Sequence, residues 1–103
     1  MFESIIRLFT KEKTDYAQLV KDGAVILDVR TKGEFAGGHI RGSVNIAVEQ
    51  LAGNLHKLKS KSKPIITYCE SGMRSSAAKN ILKSNGYTEV YNGGSMYRLK
   101  NKL

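Results

Sequence analysis

A short apolar run, Pro64-Ile65-Ile66-Thr67-Tyr68, passes through a polar turn into a helical-looking segment, Ser75 to Asn85, and the chain's only cysteine, Cys69, stands at the junction. This order constrains the fold more than any other stretch. A strand that feeds a helix through a tight turn leaves a row of unsatisfied backbone N–H groups at the helix start. Those groups, with the helix dipole behind them, favour negative charge. A free thiol has a pKa near ~8.5, and helix N-termini or nearby cations lower it to roughly 3.5–7.5. Ser71 and Gly72 allow a backbone that curls its N–H groups inward, and Arg74 adds a fixed positive charge at the far end of the turn. A buried cysteine also serves as a small hydrophobe, and polar turns join many strands to helices. Core packing, however, does not call for Glu70-Ser71-Gly72-Met73-Arg74-Ser75 directly after the strand.

The rest of the chain alternates. Phe2, Ile5, Ile6 and Phe9 fall at helical spacing, so residues 1–13 read as an amphipathic helix followed by the basic link Lys11-Glu12-Lys13. That helix is expected to pack on its own domain, with docking on a partner or membrane surface as the alternative. Thr14 or Asp15 can cap a second helix through Lys21, which ends at Asp22-Gly23. Ala24 to Val29 reads as a buried strand, Thr31 to Phe35 as a helical turn, and Ser43 to Ile46 as a short strand. A helix is expected over Val48 to Leu58, with Leu51, Leu55 and Leu58 on one face. Ile65 to Tyr68 is the third strand. The helix from Ser75 should turn Ala77, Ala78, Ile81 and Leu82 inward and stop at Gly86. Glu89 to Tyr91 is a fourth strand, and Gly93-Gly94 turns into a last helical segment, Ser95 to Leu99. Alternating strands and helices predict an α/β fold, a mostly parallel central sheet of four to five strands with helices on both faces. Ligands in such folds bind beyond the carboxyl ends of the strands, where Cys69 lies. The pattern leaves the strand order open.

Three blocks then carry a resemblance. Cys69-x-x-Gly72-x-Arg74 is similar to the active-site loop of rhodanese-type sulfurtransferases. Leu27-Asp28-Val29-Arg30-Thr31, Glu34-Phe35, Gly38-His39-Ile40, Gly42-Ser43 and Asn45-Ile46 resemble the family's first half. Gly93-Gly94-Ser95-Met96-Tyr97 resembles its closing glycine pair and aromatic. The likeness runs from about Asp15 to Leu99, with Arg41 where a proline is common and Tyr97 where a tryptophan is common. It implies a single rhodanese-like domain over residues 14–103, a persulfide formed on Cys69, and a donor cradled by Glu70, Ser71, Gly72, Met73, Arg74 and Ser75.

The chemistry that the residues allow agrees. No histidine or carboxylate base lies within motif distance of Cys69, so activation is expected to be electrostatic rather than by a triad. The resemblance implies that the thiolate takes a sulfane sulfur from thiosulfate or a persulfide and passes it to a thiol or cyanide, with a protein sulfur acceptor as a further candidate. Arg74 would orient the donor or brace the loop. Asp28, Arg30 and Glu34 read as structural ties between loops. His39 reads as a loop hydrogen-bonding residue and His56 as surface. Glu70 is an oddity: turned inward it would raise the thiol's pKa and repel an anionic donor, and the simpler expectation is that it faces solvent. A cysteine-based phosphatase or arsenate reductase is a rival, but those phosphatase loops place five residues between cysteine and arginine, and here four intervene. A persulfide carrier or binding module is the other.

Composition sets the outer bounds. The 103 residues suit one domain. One cysteine forms no internal disulfide, and cysteine and histidine are too sparse for a structural zinc site, so neither metal nor organic cofactor is expected. No apolar run approaches the ~18 residues of a membrane span. The first residues lack signal-peptide features, and a reducing cytoplasm is the expected location. The net charge of +8 reads as solvated surface, or as attraction for small anions or an acidic partner. No nucleic-acid motif is present.

Overall fold

The computed structural model describes residues 14–103. The expected helix and basic link of residues 1–13 lie outside the described residues. Helix α1 (Tyr16–Lys21) is capped by Asp15, whose carboxylate accepts the Gln18 N–H at 3.0 Å. It leads into strand β1 (Val25–Asp28). Helix α2 (Lys32–Ala36) begins at Thr31 in a full capping box with Glu34. Strand β2 (Val44–Asn45) and helix α3 (Val48–Leu51) follow. Strand β3 (Ile65–Cys69) then feeds helix α4 (Met73–Ser84). Strand β4 (Val90–Ser95) and helix α5 (Met96–Asn101) close the chain.

The four strands form one sheet, order β2-β1-β3-β4, and every pairing is parallel. Strand β3 is fully buried, as a central parallel strand covered on both faces must be. Alternation sorts its side chains. Ile65 and Cys69 join Leu27, Val29, Leu51, Ala78 and Leu82 on the face covered by α3 and α4. Ile66 and Tyr68 join Ile26 and Leu99 on the face covered by α1 and α5. Cys69 thus belongs to a packed core and also ends its strand.

The structure corrects four local expectations. The helix expected over Val48 to Leu58 is broken: α3 ends at Leu51, and a 3₁₀ turn spans Leu55–Lys57. Gly53 and Asn54 lie at the break, and the Asn54 amide donates to the Gln50 carbonyl at 2.8 Å, satisfying an acceptor at the helix end. Leu51 and Leu58 still reach the core, from separate turns. Helix α4 starts at Met73, before Ser75, and Ala77 is exposed while Ser75 takes an inward place. Gly93 and Gly94 are not a turn after β4 but part of it, opposite an irregularity in β3 between Thr67 and Cys69. Gly93 is obligatory there: a Cβ would lie 2.9 Å from both the Leu99 side chain and the Thr67 carbonyl oxygen.

Candidate active site

The β3–α4 turn folds around the sulfur of Cys69. Gly72 adopts φ +98°, a left-handed value that suits glycine, and this turns its N–H onto Sγ at 3.0 Å. The Ser75 N–H, in the first turn of α4, points at the same atom from 3.4 Å. No side-chain oxygen caps α4; the sulfur fills the acceptor role instead. Ser75 Oγ lies 3.5 Å from Sγ. Burial pushes the Cys69 thiol up, but the Ser75 hydroxyl and the N–H groups of Ser75, Gly72 and Ser71 outweigh it, leaving the thiol below its usual range.

Strand β4 supplies the other wall. Asn92 Oδ1 accepts the Ser75 hydroxyl at 2.6 Å and the Gly94 N–H at 3.0 Å, and its Nδ2 donates to the Gly72 carbonyl at 3.3 Å. One amide therefore ties both halves of the cradle to the neighbouring strand. Thr67 adds a second tie, donating to the Ser75 carbonyl at 2.9 Å.

Two arginines flank the loop, both engaged. Arg74 sends Nη1 and Nη2 to the two Glu34 oxygens at 2.7 and 3.0 Å, clasping α4 to α2. This bidentate bond, with the Thr31 N–H, holds Glu34 down at about 2. Arg30, only 3 % exposed, donates to Asp28 at 2.8 Å, to the Gly38 carbonyl at 2.7 Å and to Glu70 at 2.8 Å. Asp28 is the main cause that raises its guanidinium above the ordinary value, with burial opposing and Glu70 assisting. Across the base of the site, the Tyr68 hydroxyl accepts the Ile40 N–H at 3.0 Å.

The structure gathers Cys69, Gly72 and Ser75 at the sulfur. It turns Arg74 away to Glu34, the bracing alternative of the two. Glu70 is more than half exposed, but its carboxylate is held back by Arg30 rather than extended freely into solvent. Met73 is 78 % exposed and forms part of the rim rather than the cradle. Asp28, Arg30 and Glu34 are the loop ties read from their types. His39 bonds the Phe35 carbonyl through Nδ1 at 2.8 Å and stacks on the Phe35 ring; His56 is exposed on the 3₁₀ turn. Sequence reasoning missed Asn92. The signal was available: a polar residue near the carboxyl end of a buried parallel strand, just before a glycine pair.

Beside the loop lies a cleft of about 600 Å³ lined by Tyr16, Gly72, Met73, Asn92, Arg98 and Lys102, among others. Lys102 rests its ammonium over the Tyr16 ring at 5.5 Å. Among the described residues, the lining holds two cations and no carboxylate.

Comparison with known proteins agrees with this geometry. Residues 12–96 match the family described as Rhodanese-like domain. The uncharacterized protein YqhL of Bacillus subtilis is 42% identical over 69 residues, covering 67% of this chain and 54% of that protein. The thiosulfate sulfurtransferase PspE of Escherichia coli is 31% identical over 71 residues, 68% of each chain. The chain spans about half the length of the first curated relatives it matches. A quarter of a tRNA uridine(34) hydroxylase from Aster yellows witches'-broom phytoplasma also matches, at 34% identity over 71% of this chain, so the domain occurs in proteins of more than one named activity. Among solved structures, the human single-domain sulfurtransferase TSTD1 superposes with a TM-score of 0.71 at 28% identity, covering 81% of this chain and 85% of that one. On the strength of its fold, its loop and these matches, the chain belongs to the rhodanese-like domain family.

Proposed function

We propose that the protein is a sulfurtransferase that moves a sulfane sulfur from thiosulfate or a persulfide to a thiophilic acceptor through a persulfide on Cys69. The observation that carries this reading is the cradle: the sulfur of the only cysteine accepts two backbone N–H groups at a helix start, and among the described residues no histidine or carboxylate bonds to it. Such a thiol is activated as an anion rather than by proton abstraction. The thiolate attacks the outer sulfur of the donor. A new S–S bond to Cys69 forms as the donor's own S–S bond breaks, and sulfite or the donor's thiolate leaves with the electron pair. An acceptor thiol or cyanide then attacks the outer sulfur and frees the Cys69 thiolate.

Because Cys69 is fully buried, the site favours donors whose sulfane sulfur is a terminal atom. The loop, one residue shorter than in phosphatases, leaves less room for a tetrahedral oxyanion. The two cations of the adjoining cleft suit an anionic small molecule or an acidic face of a protein acceptor. A free, reactive thiol fits a reducing cytoplasm.

Intact mass after incubation with thiosulfate, and separately with glutathione persulfide, tests the reading. The protein is expected to gain one sulfur's mass, removable by cyanide, and Cys69→Ser is expected to gain none. An adduct that persists in Cys69→Ser, or Cys69-dependent aryl phosphate hydrolysis that rivals sulfur transfer, would overturn it.

A further inference from the structure

We infer that Asn92 is a positioning residue that restrains the ionisation of Cys69 by competing with the sulfur for the one proton of the Ser75 hydroxyl. The inference rests on the reading of Cys69 as a nucleophile. Ser75 Oγ has three neighbours that could take that proton: Sγ at 3.5 Å, the Gly72 carbonyl at 3.0 Å and Asn92 Oδ1 at 2.6 Å. A hydroxyl has one proton to give. The Asn92 contact is the shortest of the three. The orientation of the amide is fixed by its surroundings, because the Gly94 N–H requires an oxygen opposite it and the Gly72 carbonyl requires a donor.

The two protonation states of Cys69 use this hydroxyl differently. In the thiol, S–H donates to Ser75 Oγ, and the hydroxyl proton goes on to Asn92; every partner is satisfied. When the thiol loses its proton to solvent, the sulfur can only accept. Ser75 must then turn its proton from Asn92 to Sγ, or leave the thiolate without it. Either choice gives up a hydrogen bond that the thiol state keeps. The backbone N–H groups of Gly72 and Ser75 therefore pull toward the thiolate, and Asn92 pulls back. The benefit lies in nucleophilicity, which falls as a thiol's pKa falls, so the best attacking thiol has a pKa near ambient pH.

The carboxylates of Asp28, Glu34 and Glu70 near the loop are each held by an arginine. Asp28 at the end of β1 and Arg30 two residues beyond it, with Glu70 of the loop, form one ion-paired set, and Glu34 from α2 pairs with Arg74 of α4. Arg98 and Lys102 line the cleft on the α5 side, where Asn92 is the residue of β4 that reaches Ser75. The Tyr68 hydroxyl is engaged with Ile40 and Ser43.

The pH dependence of iodoacetamide alkylation of Cys69 in the full chain tests the inference, and it needs no sulfur donor. Failure to form a persulfide would therefore sink the proposed function and leave this measurement interpretable. Asn92→Asp keeps the acceptor atom and strengthens it with charge, while giving up the Nδ2 bond to the Gly72 carbonyl, so the alkylation midpoint should rise by about one pH unit or more, a tenfold loss of thiolate. In a Ser75→Ala background the same substitution should shift the midpoint much less. Asn92→Ala removes the competitor and should move the midpoint down. An Asn92→Asp shift of equal size in both backgrounds would reduce the effect to simple charge repulsion and overturn the inference, as would no shift. If Asn92→Asp fails to fold, a folded Asn92→Ala with an unchanged or raised midpoint does the same.

Discussion

Arg30 and Arg74 stand on either side of the same loop, each bonded to carboxylates, yet they sit in different media. Arg30 is 3 % exposed and its partner Asp28 is 0 % exposed, whereas Arg74 and Glu34 are each about one-third exposed. The buried pair cannot be taken apart cheaply, because whichever charge remains is stranded in the core. The outer pair is screened by water and salt on both sides. Arg30 is thus part of the frame that sets where the loop begins, and Arg74 is a clasp applied afterwards. Neither guanidinium is the sulfur's principal partner; that role falls to backbone N–H groups and Ser75.

The largest test of this difference is Arg30→Met. It leaves Asp28 buried and unpaired and frees the Gly38 carbonyl, so urea unfolding should show a loss of about 3–5 kcal/mol. A loss no greater than that of a surface substitution would show that Asp28 finds relief elsewhere. Next comes Arg74→Ala. Its midpoint in urea should fall far less, and the pH profile of Cys69 alkylation should hardly move. If Arg74→Ala raised the alkylation midpoint by about one pH unit or more, the guanidinium rather than the cradle would be the anion's partner.

Acid separates the two pairs by a third route. Glu34 lies at about 2 in the folded chain against its usual 4.5. A carboxylate depressed by folding adds stability that is fully present above its unfolded pKa and is lost as pH falls through its folded one. The Glu34 contribution should therefore fade between pH 4.5 and about 2. Thermal melts across that window should show a shallower decline in Arg74→Ala than in the parent. The smallest effect is expected from Glu70→Gln. Its carboxylate is more than half exposed and tied to Arg30, so both stability and the alkylation midpoint should change only slightly. A marked drop in the midpoint would mean that Glu70 turns toward the sulfur in solution.

What the sequence disclosed and what it withheld follow from the range of the interactions. The strands were legible because runs such as Ile65-Ile66-Thr67-Tyr68 must be buried on both faces. The cradle was legible because its parts lie within seven consecutive residues, Cys69 to Ser75. Helix α3 was misjudged because the spacing of Leu51, Leu55 and Leu58 fits either one helix or two turns delivering leucines to the same core. The partner of Arg74 is 40 residues away in sequence, and that of Ser75, Asn92, is 17 away. Only the sheet order brings them together, and alternation alone does not determine that order.

The parallel sheet also fixes a sequence of events. β3 lies between β1 and β4, and parallel neighbours are joined only through long crossovers. As the chain leaves the ribosome, Cys69 emerges well before Asn92 and the glycine pair that complete the wall beside it. Until β4 docks, the thiol has its own turn but no outer strand to hold that turn in shape. A nascent chain halted before Val90 would therefore hold the Cys69 turn without the Asn92 ties of the folded chain, and the surroundings of the thiol are completed only when the last strand closes.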